Sequence, residues 1–286
     1  MALAVLSQLK QALSTLNPTE LREQAERPIL VGLVAASAED LGEMEQFFAP
    51  ANFSADRRAQ AARVLVRGGS VDCDIHIYHT SLQKPSNAFW FDPEAPEDCI
   101  RAIIRNREDL MIPLARQLEP FRKPVSHRII RSIAKENALF ALATALPDVV
   151  PSLTMIPWAV GEFTSDTAFL TMNQIRMAFM LAAANDRAIG YREQKSEIAS
   201  MIAGAFGWRA LARELIGKIP FGGGLIPKAG VAYAATYALG MSFERLYRLG
   251  YGFTRTERKA AYEDALDHGK EIASMLLGGL RQRKAS

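Results

Sequence analysis

Asp72, Cys73, Asp74, His76 and His79 lie close together in the chain and are residue types that bind metals or activate a nucleophile. Their surroundings read as a strand, in which neighbours point to opposite faces, so few of the five can converge and no metal site is expected. Cys73 with His76 or His79 has the makings of a thiol–imidazole pair, but no orienting partner or oxyanion signature accompanies it. Gly222, Gly223 and Gly224 precede a helical pattern, where backbone N–H groups and the helix dipole can hold a phosphate. A phosphate loop needs four residues between its glycines and then Gly-Lys-Ser/Thr. Here Leu225 follows the glycines and Ala229 follows Lys228. The acid pairs Glu257 with Glu263 and Glu43 with Glu45 read as solvated helix surface, and Asp148 beside Pro147 reads as a cap or turn former. No catalytic, cofactor-binding or metal-binding residue is expected.

The glycines are better explained by packing. They form a hinge, and Pro227 suits the first turn of a helix that starts near Leu225. Gly230, Ala234 and Ala238 recur every four residues along this helix, with Ala232, Thr236 and Gly240 on a neighbouring stripe. Such stripes let another helix approach closely. Lys228 is the only charge between Ile219 and Phe243, yet prolines, glycines and small residues make the stretch too weak for a membrane span. Two surroundings stay open for it, the centre of a soluble bundle and a membrane-inserting hairpin.

The elements around it follow from periodicity. Ala2, Leu6, Leu9, Leu13 and Leu16 predict an amphipathic docking helix rather than a secretory signal, and a second short helix ends at Arg27-Pro28. Ile29 to Ala35, Arg63 to Arg67 and Cys73 to His79 read as strands, and Ser86 to Pro96 as a loop pinned by Phe89, Trp90 and Phe91. Beyond Asp98 the pattern is helical, and Thr254 to Glu257 forms a capping box at the start of the last helix. The fold class expected is α+β and mostly α: amphipathic helices at 1–27, a small α/β domain at 28–120, and an α-helical bundle with a Gly-rich hinge at 121–286.

The chain is 49% hydrophobic and 23% charged, which is globular, and its net charge of +3 is too small to point to nucleic acid. The charge is uneven, with nine Lys/Arg against three Asp/Glu between Arg101 and Lys135. That segment is either a solvated helical face or a patch that meets anionic lipid headgroups. Cys73 and Cys99 make neither a disulfide framework nor a zinc motif, which fits a reducing compartment. The expected location is the cytoplasm, with association to the cytoplasmic face of the membrane.

Pro147-Asp148-Val149-Val150-Pro151, then a helix with Asn173, Gln174 and Met177, then Ile202 to Gly207, Lys218-Ile219-Pro220, the triple glycine and Ala235 to Gly240 follow one another in a characteristic order. Over about residues 138–250 this order resembles the YcjF-like domain, a bacterial module of unknown function often attached to Era-like or dynamin-like GTPases. The resemblance implies a helical, often membrane-associated partner of a GTPase and contributes no catalytic residues. The preceding α/β segment would then occupy the place of a GTPase domain. After its first strand it reads Ala35-Ala36-Ser37-Ala38-Glu39-Asp40, with no lysine and with two carboxylates that repel phosphate. Asn106-Arg107-Glu108-Asp109 lacks the lysine of a guanine-recognition motif. The expected function is therefore a non-catalytic, membrane-adjacent scaffold or GTPase-associated accessory protein, with a GTPase in trans or a second copy of itself as partner. The alternative is a nucleotide-binding regulator or enzyme that uses a degenerate nucleotide-binding-like α/β domain.

Overall fold

The computed structural model describes residues 16–69, 72–144, 166–201 and 224–285. The fold is α+β and mostly α, a small parallel sheet followed by long helices. The chain divides into two compact units, one of residues 19–127 with 182–188, the other built from the described residues of 128–181 and 189–286.

The first unit opens with α1 (Pro18–Glu26), β1 (Val31–Val34), α2 (Ala38–Phe48), α3 (Ala55–Val64) and β2 (Leu65–Arg67). It continues through β3 (Ile75–His79), β4 (Phe89–Phe91), α4 (Pro96–Asn106) and α5 (Met111–Gln117). The strands lie in the order β2-β1-β3-β4, and every pairing is parallel. Burial along β3 alternates as expected, with Ile75, Ile77 and His79 buried and His76 and Tyr78 half-buried between them. The stretch from Ser86 to Pro96 differs from the expected loop, because Phe89 to Phe91 pair with Ile77 to His79 as an edge strand. Phe91 is buried against the rings of Phe47 and Phe48 on α2, and Phe48 also stacks on Phe121. The strand expected at Arg63 to Arg67 is half helix, since α3 continues to Val64 before β2 begins.

Parallel strands of one sheet that follow each other in the chain, such as β2 and β3 on either side of β1, need a return path, commonly a dozen residues or more with a helix. Between β2 and β3 that path is residues 68–74 alone, and Gly68 and Cys73 both lie close to Gly32 of β1. A Cβ at Gly32 would stand 2.9 Å from the His76 ring, 3.2 Å from the Gly68 carbonyl and 3.3 Å from the Cys73 sulfur. The short crossover thus depends on a residue without a side chain.

The second unit is helical. It contains the later part of α6 (Glu119–Ala143), most of α7 (Asp166–Ala184), a helical stretch at 195–201, α8 (Leu225–Leu249) and α9 (Arg255–Ala285). Gly250 ends α8 in the left-handed conformation at φ 88°, where glycine carries no Cβ penalty. Thr254 and Glu257 cap α9 reciprocally: the Thr254 N–H donates to Glu257 Oε2 at 2.8 Å, and the Glu257 N–H donates to Thr254 Oγ1 at 3.3 Å. One core cluster joins Ala134, Ala138, Ala232, Tyr233, Ile272 and Ala273, and a second joins Ala234 and Ala238 to Tyr262 and Ala265. Among the described residues no helix is long and apolar enough to cross a membrane.

Candidate functional site

In an open parallel sheet the chain leaves neighbouring central strands in opposite directions at one point, and a crevice opens there beyond their carboxyl ends. Here that point lies between β1 and β3. Ser37 caps α2 just beyond β1, its hydroxyl accepting the Asp40 N–H at 3.0 Å. At the end of β3 stand His79, which is 7% exposed, and Ser81. The Ser81 hydroxyl donates to Asp40 Oδ2 at 2.6 Å and lies 2.8 Å from His79 Nδ1. Nδ1 also accepts the Ser81 backbone N–H at 3.1 Å, which assigns the imidazole proton to Nε2. Nε2 is buried without a hydrogen bond and lies 3.5 Å from Glu43 Oε2.

The electrostatics of this crevice are those of an acidic site. The Ser81 hydroxyl bond holds the Asp40 carboxyl below its usual range, with Ser37 and His79 adding to the effect and burial opposing it. Glu39 and Asp40 occupy the first turn of α2, so the chain's own carboxylates already complement the helix dipole. A phosphate entering here would meet the carboxylates of Asp40 and Glu43. Nor does the arrangement activate Ser81 as a nucleophile. Its single proton goes to the Asp40 carboxylate, and His79 Nδ1 is already occupied by a backbone donor.

Of the residues grouped in the sequence as metal-ligating types, Cys73 and His76 come together against Gly32, and the others lie apart. Asp74 accepts from Arg27 at 2.9 Å and from the Leu30 N–H at 3.0 Å, while Cys73 lies by Gly32 and His79 is at the far end of β3. Burial pushes the Cys99 thiol up to about 12 and also raises the Cys73 thiol, with Asp72 and Asp74 contributing. Neither is an activated nucleophile. Ser81 and Glu43 join the crevice through contacts that no local motif signals, since Ser81 and Asp40 are 41 positions apart.

The packing residues lie as follows. Gly222 and Gly223 fall outside the described residues, and so do Asp148 and Ile202 to Gly207. Gly224 is the N-cap of α8 at φ −70°, ψ 168°, an extended conformation open to any residue, and Pro227 sits in the first turn. A Cβ at Gly230 would stand 3.1 Å from Cγ of Lys270 on α9, and Ala234 and Ala238 pack on Tyr262 and Ala265 of the same helix. Gly240 turns to other neighbours, Ile130 of α6 and Met177 of α7. The chain matches no protein-family model, no curated protein and no solved structure.

From Thr236 of the second stripe a buried polar chain runs to α6 and α7. The Asn137 side-chain amide donates to Thr236 Oγ1 at 2.7 Å, and that of Asn173 donates to Asn137 Oδ1 at 2.8 Å. Glu136 accepts from Arg176 at 2.5 Å beside them. Asn137 and Asn173 are fully buried and join α6, α7 and α8. Such contacts set helix register, because any slip would leave them unpaired in an apolar core.

The basic segment is partly consumed by the fold. Arg101 pairs with Asp98, Arg107 with Asp109, and Arg116 with Glu26 and Asp186. Arg122 is buried and donates to the carbonyls of Ala115 and Arg116. On α6, Lys123, Arg131 and Lys135 stay exposed, and none has a carboxylate partner among the described residues. Spaced by eight and four positions, with half-buried His127 between the first two, they form one ridge of the helix.

Proposed function

We propose that this protein is a non-catalytic accessory protein that seats on an anionic membrane surface through the basic ridge of α6. It offers its helical unit to a GTPase or to a second copy of itself. The observation that carries the reading is the ridge itself, three exposed cations in line on one helix without carboxylate partners among the described residues. Each lysine or arginine near an anionic leaflet contributes about 1 kcal/mol of attraction. The partnership with a GTPase rests on the resemblance of residues 138–250 to the YcjF-like domain, and the cytoplasmic face of the membrane is the anionic surface that goes with it. Cell fractionation tests the reading: peripheral seating predicts protein in the membrane fraction at low salt and its release by high salt without detergent. Protein wholly in the soluble fraction at low salt would contradict it.

One observation favours a second reading, a regulator that binds a ligand at the α/β unit. The crevice between β1 and β3 has the position of a ligand site and holds a buried histidine nitrogen without a hydrogen bond. The carboxylates of Asp40 and Glu43 weigh against a nucleotide there. A thermal-shift panel of nucleotides separates the two readings. A nucleotide present at one hundred times its dissociation constant would stabilise the fold by about 2.7 kcal/mol, and no shift is expected.

A further inference from the structure

Beside the sheet lies an open cleft of about 770 Å³ between β4 with its preceding loop and helix α4, with Thr80, the residue between His79 and Ser81, in its lining. β4 is an edge strand, with β3 on one side and no strand among the described residues on the other. The Phe91 carbonyl accepts the Thr80 N–H at 3.0 Å, so the main chain of Phe91 points toward β3. Successive residues of a strand direct their N–H and C=O to opposite sides, so those of Trp90 point to the open edge. The Trp90 side chain is 42% exposed at the same place. The cleft wall on α4 runs from Asp98 to Asn106, about 12 Å at 1.5 Å per residue, which matches about four residues of extended chain.

The charges of the cleft are unevenly satisfied. Asp98 is paired with Arg101, and the Arg107 guanidinium is held by Asp109. Asp92 accepts the Glu94 N–H at 3.0 Å and, like Lys84, has no ion-pair partner among the described residues. Lys84 is the one of the two that lies beside the Trp90 ring. Its ammonium lies 5.7 Å from the Trp90 ring centroid and donates to the Pro85 carbonyl, with no carboxylate partner among the described residues. A free main-chain donor and acceptor, an exposed indole and an uncompensated ammonium therefore converge along one strand edge.

We propose that this cleft takes an extended, carboxylate-bearing peptide segment of a partner protein. The segment adds alongside β4, pairs with the Trp90 main chain, and places an aspartate, glutamate or terminal carboxylate on Lys84. Strand addition of this kind draws affinity from main-chain pairing and selectivity from flanking side chains. The cation beside the open edge, Lys84 over the Trp90 ring, sets where on the segment the carboxylate falls.

The test uses the full chain and a displayed library of random hexapeptides, with selected sequences remade as labelled peptides. Enrichment of extended sequences with one acidic residue is expected. Lys84→Glu should weaken the selected peptides about tenfold or more and shift selection toward basic sequences. Trp90→Pro removes the outward N–H without touching the ladder to β3 and should abolish binding, whereas Trp90→Ala keeps that N–H and should weaken binding only in part. Thermal melting reports whether Trp90→Pro is folded, and Lys84→Glu, a surface change, decides the matter if it is not. Selection without acidic enrichment, or binding that Lys84→Glu leaves within twofold, overturns the proposal. Binding of N-acetyl-aspartate amide as tight as that of the peptide would reduce the cleft to a simple carboxylate pocket and overturn strand addition.

Discussion

A Cβ added at Gly240 would sit 2.8 and 2.9 Å from the two γ carbons of Ile130 and 3.0 Å from the Met177 sulfur. Alanine in a helix interior gains about 1 kcal/mol over glycine, but overpacking against a branched side chain costs about 1–3 kcal/mol. Gly240→Ala should therefore destabilise the protein in a denaturant titration. Gly42→Ala, on α2 with open space around its Cα, should stabilise by about 0.5–1 kcal/mol. The opposite signs separate packing from propensity. A second residue-scale effect concerns Glu257. Its hydrogen bond from Arg245, then those from the Thr254 backbone and hydroxyl, lower its carboxyl from 4.5 to about 2. A depressed carboxyl contributes stability that is present above its unfolded value and is lost as pH falls, here from 4.5 toward about 2. Glu257→Gln should flatten that part of a stability–pH profile measured by denaturant midpoint.

α8 carries its two small-residue stripes to different neighbours, α9 on one side and α6 with α7 on the other. Ala234 is fully buried against α9, so Ala234→Leu should cost about 1–3 kcal/mol or prevent folding, and unchanged stability in a thermal melt would refute this packing. The repeat of small residues and the capping box of α9 were legible in the sequence because both are local patterns read within a few residues. β4 was not. Phe89 to Phe91 are three residues between turn formers, and they become a strand only by pairing with residues twelve positions earlier. The crevice was equally hidden, since Asp40, His79 and Ser81 meet only once β1 and β3 lie side by side. The Asn137–Thr236 bond spans 99 positions, and no spacing rule reaches that far. Removing its donor with Asn137→Ala should cost about 1–3 kcal/mol by leaving buried polar atoms unpaired, read as a lower denaturant midpoint.

Over the whole molecule, a net charge of +3 conceals a division of labour. Most arginines of the basic segment fasten the α/β unit internally, through Asp98, Asp109, Asp186 and neighbouring carbonyls, while the cations of the α6 ridge have no carboxylate partner among the described residues. The acidic crevice and the basic ridge thus carry opposite potentials, one turning phosphates away and the other attracting anionic surfaces. The most direct measurement is co-sedimentation of the purified chain with vesicles of neutral and anionic lipid. Membrane seating predicts binding to anionic vesicles alone, weakened by salt, and about 100-fold weaker after Lys123, Arg131 and Lys135 are all changed to alanine, from about 1 kcal/mol for each cation. Absence of binding to anionic vesicles at low salt, or binding that the triple substitution leaves intact, would contradict it.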